Sequence, residues 1–232
     1  MSLLFANRAR RVAVLGVAGL GACAVLAACS PVQFGAAATV GNDRITLSTL
    51  DSNVTALQTA AKPYGSSIQI TTADYPSAVL TWLIRFDVMD QVAADHGISV
   101  TQAQIQQGLN GLSATAQENG FSSTSELLIA NGIPPRLFPQ VGQWEAQQEA
   151  YALQEFGGKE PTSTTQQNAY AASINKAQCS AAQTLNIKVS PQFGRFDYAT
   201  TSFSVVPVGN TLSQPEGTPS PASTEGLTPA AC

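Results

Sequence analysis

The stretch from about Asp74 to His96 constrains this chain more than any other. Val79, Trp82, Leu83, Phe86, Met89 and Val92/Ala93 recur at steps of three and four residues, the spacing of one face of a long helix. Asp87, Asp90 and Asp95 fall largely off that stripe, on what is expected to be a solvated face. Gly97 ends the pattern, and Ile98-Ser99-Val100 leads to a new helix cap at Thr101.

Shorter signals flank it. "AATVGNDRITLSTLD" reads as two strands around a tight turn at Gly41-Asn42-Asp43. Ser48 or Thr49 then caps a helix with Leu50, Val54, Leu57 and Ala61 on one face, which "KPYGSS" breaks. After Thr101 a weaker amphipathic helix runs through Ile105, Leu109 and Leu112. "STSELLIANG" predicts a short helix capped by Ser123 or Thr124 and stopped by Asn131-Gly132. Pro134 and Pro135 introduce a helix reaching about Phe156, with Leu137/Phe138, Val141, Trp144 and Tyr151 as apolar positions. "GGKEPTSTT" is a linker. A helix over about 165–184 follows, with Tyr170, Ile174, Ala177 and Ala181 on one face. "NIKVSPQFGRFD" switches to period two and reads as strand, which "SFSVVPV" extends. From Gly209 the Pro, Ser, Thr and Gly content predicts a disordered tail.

The first residues explain where such a chain works. Arg8, Arg10 and Arg11 precede an uncharged Ala/Gly-rich apolar run from Val12 to Ala28, the layout of a secretory signal. Leu26-Ala27-Ala28-Cys29 resembles the bacterial lipobox, and that resemblance implies a lipid on the Cys29 thiol and anchorage at the outer face of the bacterial cell membrane. The expected division is a lipoprotein signal peptide at 1–28, a tether at 29–36, a helical domain at 37–208 and the tail at 209–232. Cys23 would leave with the signal. Cys179 and Cys232 then remain, a candidate disulfide in an oxidising compartment. The 11 basic and 15 acidic residues of the whole chain become 8 and 15 once the signal is cut. An acidic chain argues against nucleic acid and against polybasic membrane contact.

The order of elements carries a resemblance. "ATVGNDRIT" resembles the opening hairpin of SurA-like chaperones and PrsA-type foldase lipoproteins. "VLTWLIRFDVMDQVAADHGISVTQAQIQQGL" is similar to their long helix, the joint after it and the next helix. "FSSTSELLIANGIPPRLF" is similar to their short helix, and "IKVSPQFGRFD" to the closing segment that returns to the hairpin. The similarity spans about residues 37–198. It implies a mainly α fold, a SurA N-terminal-like helical domain with a small β-sheet made by an N-terminal hairpin and a C-terminal strand.

Relatives often carry a parvulin prolyl isomerase domain of roughly 90–100 residues, an ordinary domain size, before that closing segment. Here the interval from Phe156 to Ile187 is far too short for one. The only histidine, His96, falls at a helix end and is expected to make a helix-dipole contact, whereas parvulin chemistry involves a histidine pair. The chain contains no G-x-S-x-G, P-loop or H-E-x-x-H pattern, and the acidic trio lacks the glycine-turned loop of a calcium site. Asn53-Val54-Thr55 matches a glycosylation acceptor, a match of little weight on a bacterial lipoprotein. No enzyme activity, cofactor or metal is expected.

The expected function is a membrane-anchored extracytoplasmic chaperone-like lipoprotein that binds unfolded or secreted polypeptides. The alternative is an envelope adaptor that binds one specific partner. A solute receptor is disfavoured because alternating strands and helices are missing. Trp82, Phe86, Met89, Leu137, Val141, Trp144 and Tyr151 are candidates for the wall of a peptide groove, although helical stripes more often face their own core.

Overall fold

A computed structural model of the chain describes residues 35–68, 70–198 and 203–208. Strands β1 (Ala36–Val40) and β2 (Asp43–Thr46) pair antiparallel, with Val40 opposite Asp43 across the two-residue loop Gly41–Asn42. Gly41 has φ of +59°, the left-handed value that tight hairpin loops reserve for glycine. Its N–H donates to the Leu185 carbonyl at 2.7 Å. The hairpin tip is therefore latched to the end of a helix far along the chain.

β3 (Lys188–Val189) adds to the free edge of β1, Ala38 opposite Val189, giving the order β2-β1-β3. The small sheet thus joins an N-terminal hairpin to a returning C-terminal strand, as the resemblance implied. The segment after it does not extend β3. Phe193 N–H bonds to the Ser190 carbonyl at 2.9 Å, and Gly194 takes φ of +119°, so the chain turns back at Pro191–Gly194. Among the described residues β4 (Arg195–Asp197) and β5 (Ser204–Val206) then pair with each other as a separate two-stranded sheet.

Helix α1 (Leu47–Ala61) starts directly from β2, so its cap is the last strand residue: Thr46 Oγ1 accepts the Thr49 N–H at 3.0 Å. Neither Ser48 nor Thr49, the expected caps, takes that position. Leu50, Leu57 and Ala61 are buried, and "KPYGSS" closes the helix as a 3-10 turn.

Helix α2 (Tyr75–Asp95) is the axis of the fold. Its apolar stripe is buried, and so are Leu80, Ile84 and Val88 outside that stripe. A helix buried around most of its circumference belongs inside a bundle, and α2 packs against α1, α5 (Phe138–Glu155), α6 (Thr164–Leu185), β1 and β5. Helix α3 (Gln102–Glu118) begins with a capping box in which Thr101 and Gln104 satisfy each other's backbone N–H. Helix α4 (Thr124–Ala130) is capped by Ser123. A 3-10 turn at Pro135–Leu137 leads into α5, which packs along α3. Gly108 and Gly142 sit at that crossing, where an added Cβ on Gly142 would overlap the Ile105 carbonyl oxygen.

Candidate polypeptide-binding surface

All seven apolar residues named as candidate groove wall lie in one hydrophobic core: Trp82, Phe86, Met89, Leu137, Val141, Trp144 and Tyr151 are each buried. Trp82 meets Trp144 edge to face with ring centroids 5.6 Å apart, and its Nε1–H donates to the Asn131 carbonyl at 2.8 Å. These residues hold α2, α4 and α5 together and wall no groove open to solvent. Their helical spacing could not separate the two roles, because a groove lining and a core stripe have the same period.

One buried charge was not singled out beforehand. Arg85 lies within the apolar run of α2 and is only 5% exposed. Its guanidinium stacks 4.7 Å from the Trp82 ring centroid, and its Nε–H donates to the Phe203 carbonyl at 3.1 Å. Burial lowers its pKa to about 10. Four residues earlier, Thr81 Oγ1 accepts the Val205 N–H at 2.9 Å and donates to the Ser77 carbonyl at 2.8 Å. Arg85 and Thr81 together fasten β5 onto α2. The available signal was an arginine inside "WLIRF", which demands a buried acceptor or a functional reason.

The acidic trio divides. Asp95 is exposed and accepts from Gln91 at 2.7 Å. Asp90 accepts from Gln143 at 2.9 Å and Gln147 at 2.8 Å, tying α2 to α5. Asp87 departs from the expected solvated face. It is half-buried, and burial, then Asp43, then Asp90 push its pKa up to about 7. On α5, Glu145 is pushed up to about 7 by burial and by Glu149. Among the described residues no group of His, Cys, Asp and Glu is arranged to hold a metal ion. His96 terminates α2 and packs edge to face on Tyr151, centroids 4.9 Å apart. Asn53 is buried, its Nδ2 donating to the Thr49 carbonyl at 2.9 Å, so the glycosylation pattern is folded away.

Among the described residues two regions stand out as surfaces. The first is an open groove of about 650 Å³ between α1 and the Pro135 turn. Asp51, Ser52, Thr55, Thr59, Ala56 and Arg136 line it, and Arg136 Nη1 donates to Ser52 Oγ. Its lining mixes hydroxyls, Asp51 and Arg136 with Ala56, Ala60 and Pro135, and holds no large apolar side chain. The second is the seam where α6 crosses α2 and α5. Gln178, 1% exposed, sends its Nε2–H to Gln148 Oε1 at 3.4 Å and to Met89 Sδ at 3.6 Å. Its Oε1 is buried with no partner, and so is Tyr170 Oη. Tyr170 stacks on Phe156 at 4.3 Å, and Phe156 is one of two large apolar side chains exposed among the described residues, with Val208.

Cys29, the signal peptide and the 209–232 tail lie outside the described residues. Of the candidate disulfide, Cys179 sits half-buried on α6 beside Gln178, and Cys232 lies outside the described residues. None of the described helices is long and apolar enough to cross a membrane.

A helical bundle around one buried helix, closed by a hairpin and a returning strand, defines the class. The SurA-like N-terminal domain family matches residues 5–142. That is more than half of the chain, which therefore belongs to this family, a chaperone-like group of the periplasm and cell envelope. The match ends inside α5, and the rest of the domain follows from the structure. No curated protein matches the chain. No solved structure matches it either.

Proposed function

We propose that the chain is a membrane-anchored, extracytoplasmic chaperone-like lipoprotein, tethered through Cys29, that holds unfolded or secreted polypeptides and does not isomerise prolyl bonds. The observation that carries this reading is a SurA-like N-terminal domain whose interval between α5 and β3 is occupied by the single helix α6. A holding chaperone needs no catalytic group. It needs a surface that binds apolar segments weakly enough to release them, and a location where such segments emerge. A bridge between Cys179 and Cys232 belongs to the same proposal, joining the tail to α6. Mass measurement after alkylation, with and without reductant, tests it.

The sparse exposed apolar surface among the described residues favours one second reading, an adaptor for a single partner. Crosslinked envelopes separate the two when the lipidated chain is captured beside a Cys29→Ala control. Many unrelated secreted proteins, lost in the control, support the chaperone. One stoichiometric partner makes the chain an adaptor. A prolyl-peptide isomerisation assay belongs alongside, and any rate above the uncatalysed one overturns the non-catalytic part.

A further inference from the structure

We infer that α6 is a displaceable occupant of the α2–α5 seam, and that a helix-forming client segment, apolar at three- and four-residue steps, binds there in its place. This rests on the polypeptide-holding reading and assigns that reading a surface.

The first argument is how little α6 is held. Residues 162–169 are all exposed, so its first turns bury nothing. Of its whole length only Gln178, Ala181 and Ala182 are buried, all in the C-terminal half. Tyr170, Ile174 and Ala177 are half-buried. By contrast, α2 is buried from Tyr75 to Ala93 with few interruptions.

The second argument is the chemistry of the seam. The largest fully buried side chain that α6 brings to it is an amide with one long hydrogen bond, one sulfur contact and an oxygen left unpaired. Tyr170 Oη is unpaired as well. Both atoms regain hydrogen bonds to water when α6 lifts, so closure lacks part of the usual reward. An apolar side chain at the Gln178 position meets Met89 Sδ and buries no unpaired oxygen of its own, while the half-buried Gln148 Oε1 that loses its donor turns to water. A client segment that carries one there matches the seam better than α6 does.

The third argument is the mechanics of the two ends. At the C-terminal end, the Leu185 carbonyl is bound by Gly41 N–H and β3 follows at once. At the N-terminal end, Gly157 and Gly158, both at positive φ, open an exposed connection that runs through Glu160. The helix is therefore hinged near its end and free to swing from its start. The outermost contact is the Phe156–Tyr170 stack, and lifting α6 exposes Phe156 further as the rim of the seam. The occupant's chemistry follows from the one seated there now: a helix with Tyr, Ile, Ala and Ala at positions 170, 174, 177 and 181.

Hydrogen exchange on the full chain tests the displacement, and a reduced, alkylated and permanently unfolded polypeptide serves as the client probe. Amides of 164–177 are expected to exchange about 100-fold faster than those of α2, as a unit that opens on its own. Tyr170→Phe removes an unpaired polar atom at nearly constant shape, and Gln178→Met removes another together with one long hydrogen bond to the half-buried Gln148. Each is expected to slow α6 exchange and to weaken probe binding, by about tenfold for Gln178→Met. Gln183→Met, on the exposed side of α6, is expected to change neither. If α6 exchanges only together with α2, it is no strap and the inference falls while the chaperone reading stands. If both variants slow exchange yet leave the probe Kd unchanged, the client surface is not under α6. If the wild-type chain does not bind the probe, the holding reading fails and the assignment of this surface fails with it, whatever the exchange data say about opening.

Discussion

Gly108 and Gly142 bring the backbones of α3 and α5 into direct contact: a Cβ built on Gly108 would lie 2.7 Å from the Gly142 carbonyl oxygen and 3.0 Å from Glu145 Cβ. Alanine normally gains about 1 kcal/mol over glycine in a helix interior. Here the crowding wins. Gly142→Ala is expected to lower stability by about 1–3 kcal/mol, the usual range for overpacking. Gly111, on the same helix as Gly108 but with open space around it, supplies the control, and Gly111→Ala is expected to stabilise by about 0.5–1 kcal/mol. Urea midpoints at constant m-value decide both, and a neutral Gly142→Ala would mean the helices cross elsewhere.

Two of the side chains that fasten β5 to α2 can each be removed singly. Thr81→Val keeps the shape but leaves the Val205 N–H unpaired, an expected loss of about 1–3 kcal/mol. Arg85→Ala removes a buried stack and the hydrogen bond to Phe203, and about 2–4 kcal/mol is expected from the buried-network class of mutations. In both variants the amides of β5 should lose exchange protection before those of α2. Uniform loss across the molecule would show that β5 is not separately attached.

Asp87 and Glu145 make stability fall as pH rises. Burial raises both folded-state pKa values to about 7, from ordinary values near 4. Between about pH 4 and about pH 7 the folded chain keeps protons that the unfolded chain gives up. The contribution is fully present at the acidic end and is lost by the time pH passes the folded values. Asp87→Asn and Glu145→Gln should each flatten that slope and raise stability at pH 8 by about 1–2 kcal/mol, allowing for partial solvation. Chemical denaturation across pH 4–8 tests this, and a wild-type curve flat over that range would contradict it.

At the hairpin tip, Gly41→Ala meets two penalties at once. Its φ of +59° is strained for alanine, and the new Cβ would lie 2.8 Å from Leu185 Cδ2. An expected loss of about 1–3 kcal/mol, with faster exchange at the Gly41 amide, would show that the tip and α6 are joined as drawn.

Much of the fold was legible from local chemistry. Thr101 was legible as a helix cap, Ser123 or Thr124 as a second, and the α2 spacing as a long helix. A tight turn at Gly41-Asn42-Asp43 followed from turn preferences, and the structure narrows it to Gly41–Asn42 with Asp43 already in β2. What local reading missed was decided by distant neighbours. Thr46 became a cap because β2 runs into α1 without a linker. Asp87 became half-buried because the hairpin carrying Asp43 folds over α2. The return of β3 to β1 came from family likeness, since two residues carry no register of their own. For the candidate surface, seven large apolar residues drew attention while Gln178, on the Ile174–Ala181 stripe, did not. A polar residue on an apolar stripe was the more informative signal.

β1 occupies the middle of its sheet, yet β2 follows it at once and β3 only after six helices. As the chain is made, β1 therefore emerges early and keeps one bare backbone edge until nearly the whole domain has followed. Such an edge is a template for pairing with any extended chain nearby, and closing it last, from so far along the sequence, is slow. The order of the strands therefore leaves the sheet open to mispairing for as long as synthesis of the six helices lasts.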